Sequence, residues 1–373
     1  MFKYFIFILF ISPVLLFSQI VLKFSSEDMD IQVEKLISNL DIPWGMTFIS
    51  ENEILISQKS GKILVLNIET KELENITNTP NILYDGQGGL LDVQSSPSFR
   101  NDSLLYFTYV KEIKGEGVTT LAKAKLEKNS LIDWEDLLVS KSATKTSRHF
   151  GSRITFDEDG HIFFSIGDRG IRKNAQDLST HAGSIIKLNL DGTIPKDNPF
   201  VNKKRKLAEI YSYGHRNPQG LFYDMKTKKL WSIEHGPRGG DEINQIEKGL
   251  NYGWPTISHG KEYWSPFNVG ESTYKEGMQQ PKKVYIPSIA PSSLIVYRGN
   301  SFPKWKGNIF SGALKLRHLN RVVFNNNGKE IKEERLLEEL GERIRNVIQS
   351  PKGNLIISTD SGNIYKLSPS DTN

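Results

Sequence analysis

Between Glu209 and Pro255 the chain reads EIYSYGHRNPQGLFYDMKTKKLWSIEHGPRGGDEINQIEKGLNYGWP. Two short apolar strands, FYDM and LWSI, separate three clusters dense in Gly, Pro, Asn and charged residues: GHRNPQG, EHGPRGGDE and GLNYGWP. Gly and Pro impose special backbone conformations. Such density reads as main chain shaped around something, with carbonyls, a cation and carboxylates close together. Two further pairs could do chemistry. His149 precedes FGSR, and the strand that follows ends in GDRG with Asp168 at its turn. A strand and turn can return Asp168 to His149, where a carboxylate would fix the imidazole tautomer and raise its basicity. The alternative is a structural histidine with its hydrogen bonds satisfied. Arg343 and Arg345 are two residues apart, so on a strand both point to one face. Two guanidiniums there either grip an anion bidentately or line a solvated face.

The elements that must position these residues are strands. Short β-rich runs alternate with turns: EILISQ–KSG–KILVLN, SLLYFTYV, HIFFSIG–DRG, LWSIEHG and NLIISTD–SGN–IYKL. Glu53–Asn67 and Asn354–Leu367 share one template of strand, polar Gly turn and strand. That recurrence at both ends of the chain predicts a repeated β unit closed into a propeller. The repeats are too degenerate to count blades. A propeller must close its ring, and Gln32–Leu40 is the segment expected to pair with the last blade. Only Trp134–Ser140 and Arg335–Leu340 are predicted to be helical. No linker divides residues 19–373, which read as a single domain.

The N-terminus, MFKYFIFILFISPVLLFSQ, has the form of a secretory signal peptide over residues 1–18. Its apolar run is about 14 residues, short of the roughly 20 that span a bilayer. No membrane span is expected in the mature chain, and a periplasmic or secreted location follows. There are no cysteines, so stability is left to burial, with or without metals, rather than to disulfides. The net charge of +5 is spread out. The one dense run, Lys203-Lys204-Arg205-Lys206, reads as a solvated loop rather than a nucleic-acid patch. The 7 histidines lack paired-ligand spacing for zinc. DEDG at Asp157–Gly160 lacks the remainder of an EF-hand and reads as a β-turn. There is no GxSxG elbow, and no Gly cluster has the strand and helix context of a dinucleotide site.

Motifs in one order run through almost the whole mature chain. They are LDIPWG (Leu40–Gly45), DGQGGLLD (Asp85–Asp92), RHFGSRITFDEDGHIFFSIGDRG (Arg148–Gly170) and AQDLSTHAGSIIKLNLDGTIPKDNPF. The Glu209–Pro255 stretch follows, then PSIAPSS, GALK and ERIRNVIQSPKGNLIISTDSG. The series strongly resembles the soluble quinoprotein sugar dehydrogenases, the glucose/sorbosone dehydrogenase family. The resemblance implies an all-β, six-bladed β-propeller that binds pyrroloquinoline quinone (PQQ) and calcium. It makes His149 the base that takes the proton of a sugar's anomeric hydroxyl, Asp168 the residue that orients it, and Arg216 a third member of the catalytic set. PQQ is a flat ortho-quinone with three carboxylates, for which Arg216, Lys315, Arg343 and Arg345 are the candidate cations. Gln87 and Asn217 match residues that hydrogen-bond the cofactor or line its pocket. The carbonyls of Gly236 and Pro237 match the ligands of the catalytic calcium, an ion that prefers oxygen. Glu242 and Tyr252, the latter through its carbonyl, match a second, structural calcium. Asp241 is either a ligand or part of a surface turn. Gln176 falls near the cofactor region, but IRKN between GDRG and AQDL leaves its match open. The loops between Thr256 and Lys283 look short, as in the soluble aldose dehydrogenase branch with open sites and broad substrates.

Three functions compete on this reading. The first is an exported PQQ- and calcium-dependent aldose dehydrogenase, making lactones and passing electrons to an unidentified acceptor. The second is a non-catalytic propeller that binds a ligand or partner protein. The third is a calcium-dependent propeller lactonase, which needs an inward carboxylate cluster where this chain offers cations.

Overall fold

The computed structural model describes residues 19–325 and 327–370. The expected signal peptide at 1–18 lies outside the described residues. Six antiparallel sheets follow one another along the chain. Residues 43–76 form the first blade, 90–139 the second, 154–213 the third, 218–285 the fourth and 295–336 the fifth. The sixth combines three C-terminal strands, within 344–369, with two N-terminal ones. Asp30–Ile37 pairs antiparallel with Ile364–Pro369, and Gln19–Ser25 adds outside it. This is the expected closure, with the closing strand beginning two residues before Gln32 and ending at Ile37. The hairpin template at 53–67 and 354–367 is two strands of blade one and two of blade six.

Neither predicted helix forms as such. Residues 134–139 belong to the strand Ser130–Val139, at the outer edge of blade two. Register shifts between Ile132 and Glu135 and between Asp136 and Leu138 break the period of two, which hides a strand from pattern reading. Trp134 still packs against Phe107, with ring centroids 5.1 Å apart. Residues 335–340 divide between the strand Glu330–Leu336 and a single 3-10 turn, Glu338–Leu340. DEDG is the turn joining Ile154–Phe156 to His161–Ile166, and Lys203 to Lys206 lie in an exposed turn.

The first strand of each blade faces the axis: Pro43–Phe48, Leu90–Ser95, Ile154–Phe156, Pro218–Asp224, Ile295–Val296 and Ile344–Gln349. Each packs on the next, and the last returns to the first. Apolar side chains fill the seams between blades. Between blades five and six Trp305, fully buried, stacks on Phe302 at 4.3 Å and meets Phe310 at 5.1 Å.

One guanidinium sits at the centre of the ring. Arg153, just ahead of the third blade's first strand, bonds the carbonyls of Trp44 (3.2 Å), Gln219 (3.0 Å), Ser292 (2.8 Å) and Arg345 (3.1 Å). It also pairs with Asp92 Oδ1 at 3.0 Å and lies over the Trp44 ring at 3.9 Å. Its partners come from the inner strands, or the residues just before them, of all five other blades. Burial pulls the Arg153 pKa down to about 10, so the group stays charged at neutral pH. Beyond it, at one mouth of the ring, opens a funnel of about 400 Å³ lined by Met46, Phe156, Phe222 and Arg298. The opposite mouth carries the predicted site residues.

Candidate active site

His149 and Asp168 meet as expected. Imidazole Nδ1 lies 2.6 Å from Asp168 Oδ1. The backbone makes this possible at two places. His149 takes a left-handed φ of 57°, and Gly167 passes so close that a Cβ there would stand 2.4 Å from the His149 carbonyl oxygen. The His149 amide donates to Gln87 Oε1 at 2.8 Å, which links the DGQGG turn to the histidine. Asp168 Oδ1 also accepts the Gly170 amide at 2.7 Å, and Oδ2 accepts the indole N–H of Trp254 at 2.8 Å. With the carboxylate so bound, Nδ1 carries the proton and Nε2 is left as the acceptor. Burial pushes Asp168 up, but the hydrogen bond and charge of His149, with Arg216 and the Gly170 amide, bring it below the ordinary carboxylate value. Burial pushes His149 down, Asp168 pulls it up, and Arg216 pushes it down again; the net is a lowered pKa. His149 is therefore held neutral.

Trp254 belongs to GLNYGWP, a motif legible in the sequence, but its role is not. Gln176 explains its placement. The Gln176 amide donates to the Trp254 carbonyl at 2.7 Å and to Asn251 Oδ1 at 3.0 Å. Gln176 thus braces the segment that supplies the indole.

Beside this pair lies a cleft of about 330 Å³. Its lining includes Lys59, Gln87, Asn217, His235, Arg343, Arg345 and Asp360. The expected convergence of Arg343 and Arg345 is real, but their anion is internal. Arg345 bonds Asp360 through Nε at 2.7 Å and Nη2 at 3.0 Å, and Arg343 Nε reaches the same carboxylate at 2.8 Å. Asp360 sits in ISTDSG, inside a motif, and no local signal marks it as the partner. Asn217 is buried, and its Oδ1 accepts the Gly151 amide at 3.3 Å. Lys315 is exposed, next to the cleft-lining Leu314, rather than inside.

Arg216 lines a second, smaller void. Its Nη1 bonds the His235 carbonyl at 3.1 Å, its guanidinium lies 5.3 Å from the Trp254 ring, and its buried Nε has no partner. His235, unmarked by the sequence reading, lines both spaces. Its Nε2–H donates to the Pro291 carbonyl at 2.6 Å, and burial pulls its pKa to about 3. The ring is therefore neutral, with Nδ1 unprotonated.

The smaller void is lined by Gly236, Pro237, Glu242, Tyr252 and Glu234. Gly236 is required where it is: a Cβ would fall 2.0 Å from the Gly240 carbonyl oxygen. Asp241 is not a surface turn. It is buried in the strand Asp241–Ile246 and accepts the Gly236 amide (2.9 Å), the Ser288 hydroxyl (3.0 Å) and the Ala290 amide (2.8 Å). It is a clamp that shapes the Gly236–Pro237 turn, and burial pushes its pKa up to about 6. Glu242 has no cationic partner among the described residues. Among the described residues its carboxylate accepts a hydrogen bond from Asn244 alone, at 3.3 Å. Burial, then the charge of nearby Glu234, pushes it up to about 8. The Tyr252 ring stacks on His215 at 4.7 Å and anchors the void's wall. The half-buried Glu242 carboxylate beside the buried Glu234, with backbone oxygens at hand, is a donor set that fits a hard divalent cation. A cleft lined by Lys59, Arg343 and Arg345 fits a flat polyanion.

Six blades with a histidine–aspartate pair and a cationic cleft at one mouth fit the class of propeller dehydrogenases. The chain belongs to the glucose/sorbosone dehydrogenase family, whose sequence model matches residues 40–366. It is 36% identical over 349 residues to the aldose sugar dehydrogenase YliI of Escherichia coli, covering 91% of this chain and 93% of that one. It is 28% identical over 435 residues to the quinoprotein glucose dehydrogenase B of Acinetobacter calcoaceticus, covering 94% and 90%. The apo-form crystal structure of the soluble aldose sugar dehydrogenase from Escherichia coli superposes with a TM-score of 0.87 at 34% identity, covering 91% of this chain and all of that one.

Proposed function

We propose that this protein is an exported aldose dehydrogenase that uses PQQ and calcium to oxidise the C1 hydroxyl of a sugar to a lactone. The observation that carries the reading is the His149–Asp168 pair, 2.6 Å apart, beside a cleft lined by cations. The names of the two relatives, an aldose sugar dehydrogenase and a quinoprotein glucose dehydrogenase, support it. PQQ, when bound, would supply a two-electron quinone that accepts hydride from C1, and calcium would polarise its carbonyl. His149 Nε2 takes the anomeric hydroxyl proton. Asp168 holds the imidazole tautomer and stabilises the imidazolium that forms. Burial first, with the charge of Arg216 added, keeps the resting histidine neutral. Arg216, Lys315, Arg343 and Arg345 bind carboxylates, Gln87 and Asn217 add hydrogen bonds, and the Gly236 and Pro237 carbonyls hold the catalytic metal. Glu242 and the Tyr252 carbonyl hold a second calcium. Residues 1–18 direct export and residues 19–373 form the one working domain. Among the described residues no helix is long and apolar enough to cross a membrane. The lactonase reading is disfavoured because Asp92, the carboxylate at the axis, is occupied by Arg153.

The test is reconstitution of purified apoprotein with PQQ and calcium, then dye reduction with a panel of aldoses. Turnover supports the reading. Binding of PQQ without sugar-dependent reduction, or no binding at all, favours the non-catalytic propeller.

A further inference from the structure

The cations that line the cleft are not equally available to a ligand. Arg343 and Arg345 already share the Asp360 carboxylate. Lys315 is exposed outside the lining. One cation in the wall has no carboxylate within 4 Å among the described residues: Lys59, which directly follows the strand Glu53–Gln58. Its ammonium donates only to the Gly86 carbonyl and lies 5.1 Å from the Tyr84 ring centroid. Burial first, and the Arg345 charge second, hold its pKa below the ordinary lysine value, while Asp360, Asp41 and Asp85 act the other way. A half-buried ammonium with one neutral acceptor has spare donors and unspent charge.

We propose that Lys59 is the cleft cation that receives a carboxylate of the bound ligand, an inference that rests on the reading of this cleft as a PQQ site. The lining holds three cations, Lys59, Arg343 and Arg345, against one anion, Asp360. Arg216 and Lys315, assigned to carboxylates above, stand outside this lining, and a carboxylate inside it that met only the two arginines would compete with Asp360 for both. Lys59 offers the remaining direct partner beside Arg345. Asp360 then has a separate job: it fixes both guanidiniums before the ligand arrives, which lowers the ordering cost of binding.

A purely structural role for Lys59 is separable, because its bond to Gly86 could do no more than hold the turn that carries Gln87. Lys59→Gln keeps a donor for the Gly86 carbonyl and removes the charge. Lys59→Arg keeps the charge. Lys59→Met removes both. PQQ binding to the apoprotein in calcium is measured by titration calorimetry at several salt concentrations, with thermal unfolding of each variant as the check on folding. Lys59→Gln and Lys59→Met should both bind about ten- to a hundredfold more weakly, the scale of a charge-assisted bond, with a shallower salt dependence. Lys59→Arg should stay within about threefold of the wild type on that same scale. Wild-type affinity and salt dependence in Lys59→Gln overturns the proposal, as does loss confined to Lys59→Met. Failure of the wild-type protein itself to bind PQQ overturns the underlying reading as well.

Discussion

The indole of Trp254 and the imidazole of His149 share one carboxylate: Trp254 Nε1 donates to Oδ2 of Asp168 at 2.8 Å, and His149 Nδ1 meets Oδ1 at 2.6 Å. The indole bond stabilises the charged carboxylate and so tempers its pull on the histidine proton. Trp254→Phe keeps the apolar bulk and removes the donor. Asp168 then holds the Nδ1 proton more strongly, so the His149 pKa rises. The acid limb of kcat/KM should move to higher pH, with kcat reduced by about three- to tenfold, well short of the hundredfold or more expected for loss of the proton-transfer group itself. An unmoved acid limb would show that the indole only fills space.

His149 itself should be the base. His149→Gln should lower turnover by about a hundredfold or more and leave PQQ binding largely intact. In the wild type, burial and Arg216 outweigh Asp168 and keep His149 below its ordinary 6.5. The acid limb should therefore lie below pH 6.5, with full activity retained above it. Asp168→Asn removes the group that raises the histidine, so its acid limb should shift lower still, with a smaller loss of turnover than His149→Gln. A pH profile of each variant with one aldose decides this.

Calcium should control both activity and stability. EDTA should abolish turnover and added calcium restore it, and the melting temperature should climb with calcium because the ion binds the native state. Glu242, pushed up to about 8, is mostly protonated at neutral pH, whereas a cation needs the carboxylate. Calcium affinity should rise between pH 6 and pH 9, the range spanning that value, with proton release on binding that calorimetry in two buffers would detect. Glu242→Gln should lose that pH dependence. Full activity after exhaustive chelation would falsify the metal assignment.

Substrate choice should be broad. Selectivity needs buried polar groups that go unpaired with the wrong substrate, and the segment between Thr256 and Lys283, expected from the sequence to leave an open site, carries Tyr263, Trp264, Phe267 and Tyr274 exposed. Several mono- and disaccharide aldoses should be oxidised with specificity constants within about two orders of magnitude, or roughly 3 kcal/mol. A methyl glycoside, whose anomeric hydroxyl is blocked, should be inert. Exclusive use of one monosaccharide would mean an enclosed sugar pocket.

Local pattern made parts of this molecule readable in advance and left others hidden. The hairpins at 53–67 and 354–367 were legible because apolar alternation and Gly turns are local signals. The His149–Asp168 pair was legible because one strand and one turn connect its members. Trp134 misled because two bulges erased its strand's period. Trp254, Asp360 and Lys59 all lie within or beside visible motifs. Their partners lie 86, 15 and 27 residues away, and only Asp360 meets its partner within a single blade. Asp241 read equally as a ligand or a surface turn, since nothing nearby revealed that Ser288 and Ala290 would close over it.

The buried guanidinium of Arg153 also bears on how such a ring can change over time. Propellers are commonly pictured as trains of interchangeable modules, with duplication or loss of a blade as the natural route to new sizes. Here five other blades present an oxygen to the same side chain, at 3.2 Å or less. A ring with a blade more or fewer would change its radius and carry those oxygens out of reach. It would strand a charge in the interior, at a cost of several kcal/mol. The number six is therefore written at the hub as well as at the rim, and the protein can diversify far more readily through the loops at its mouth than through the count of its blades.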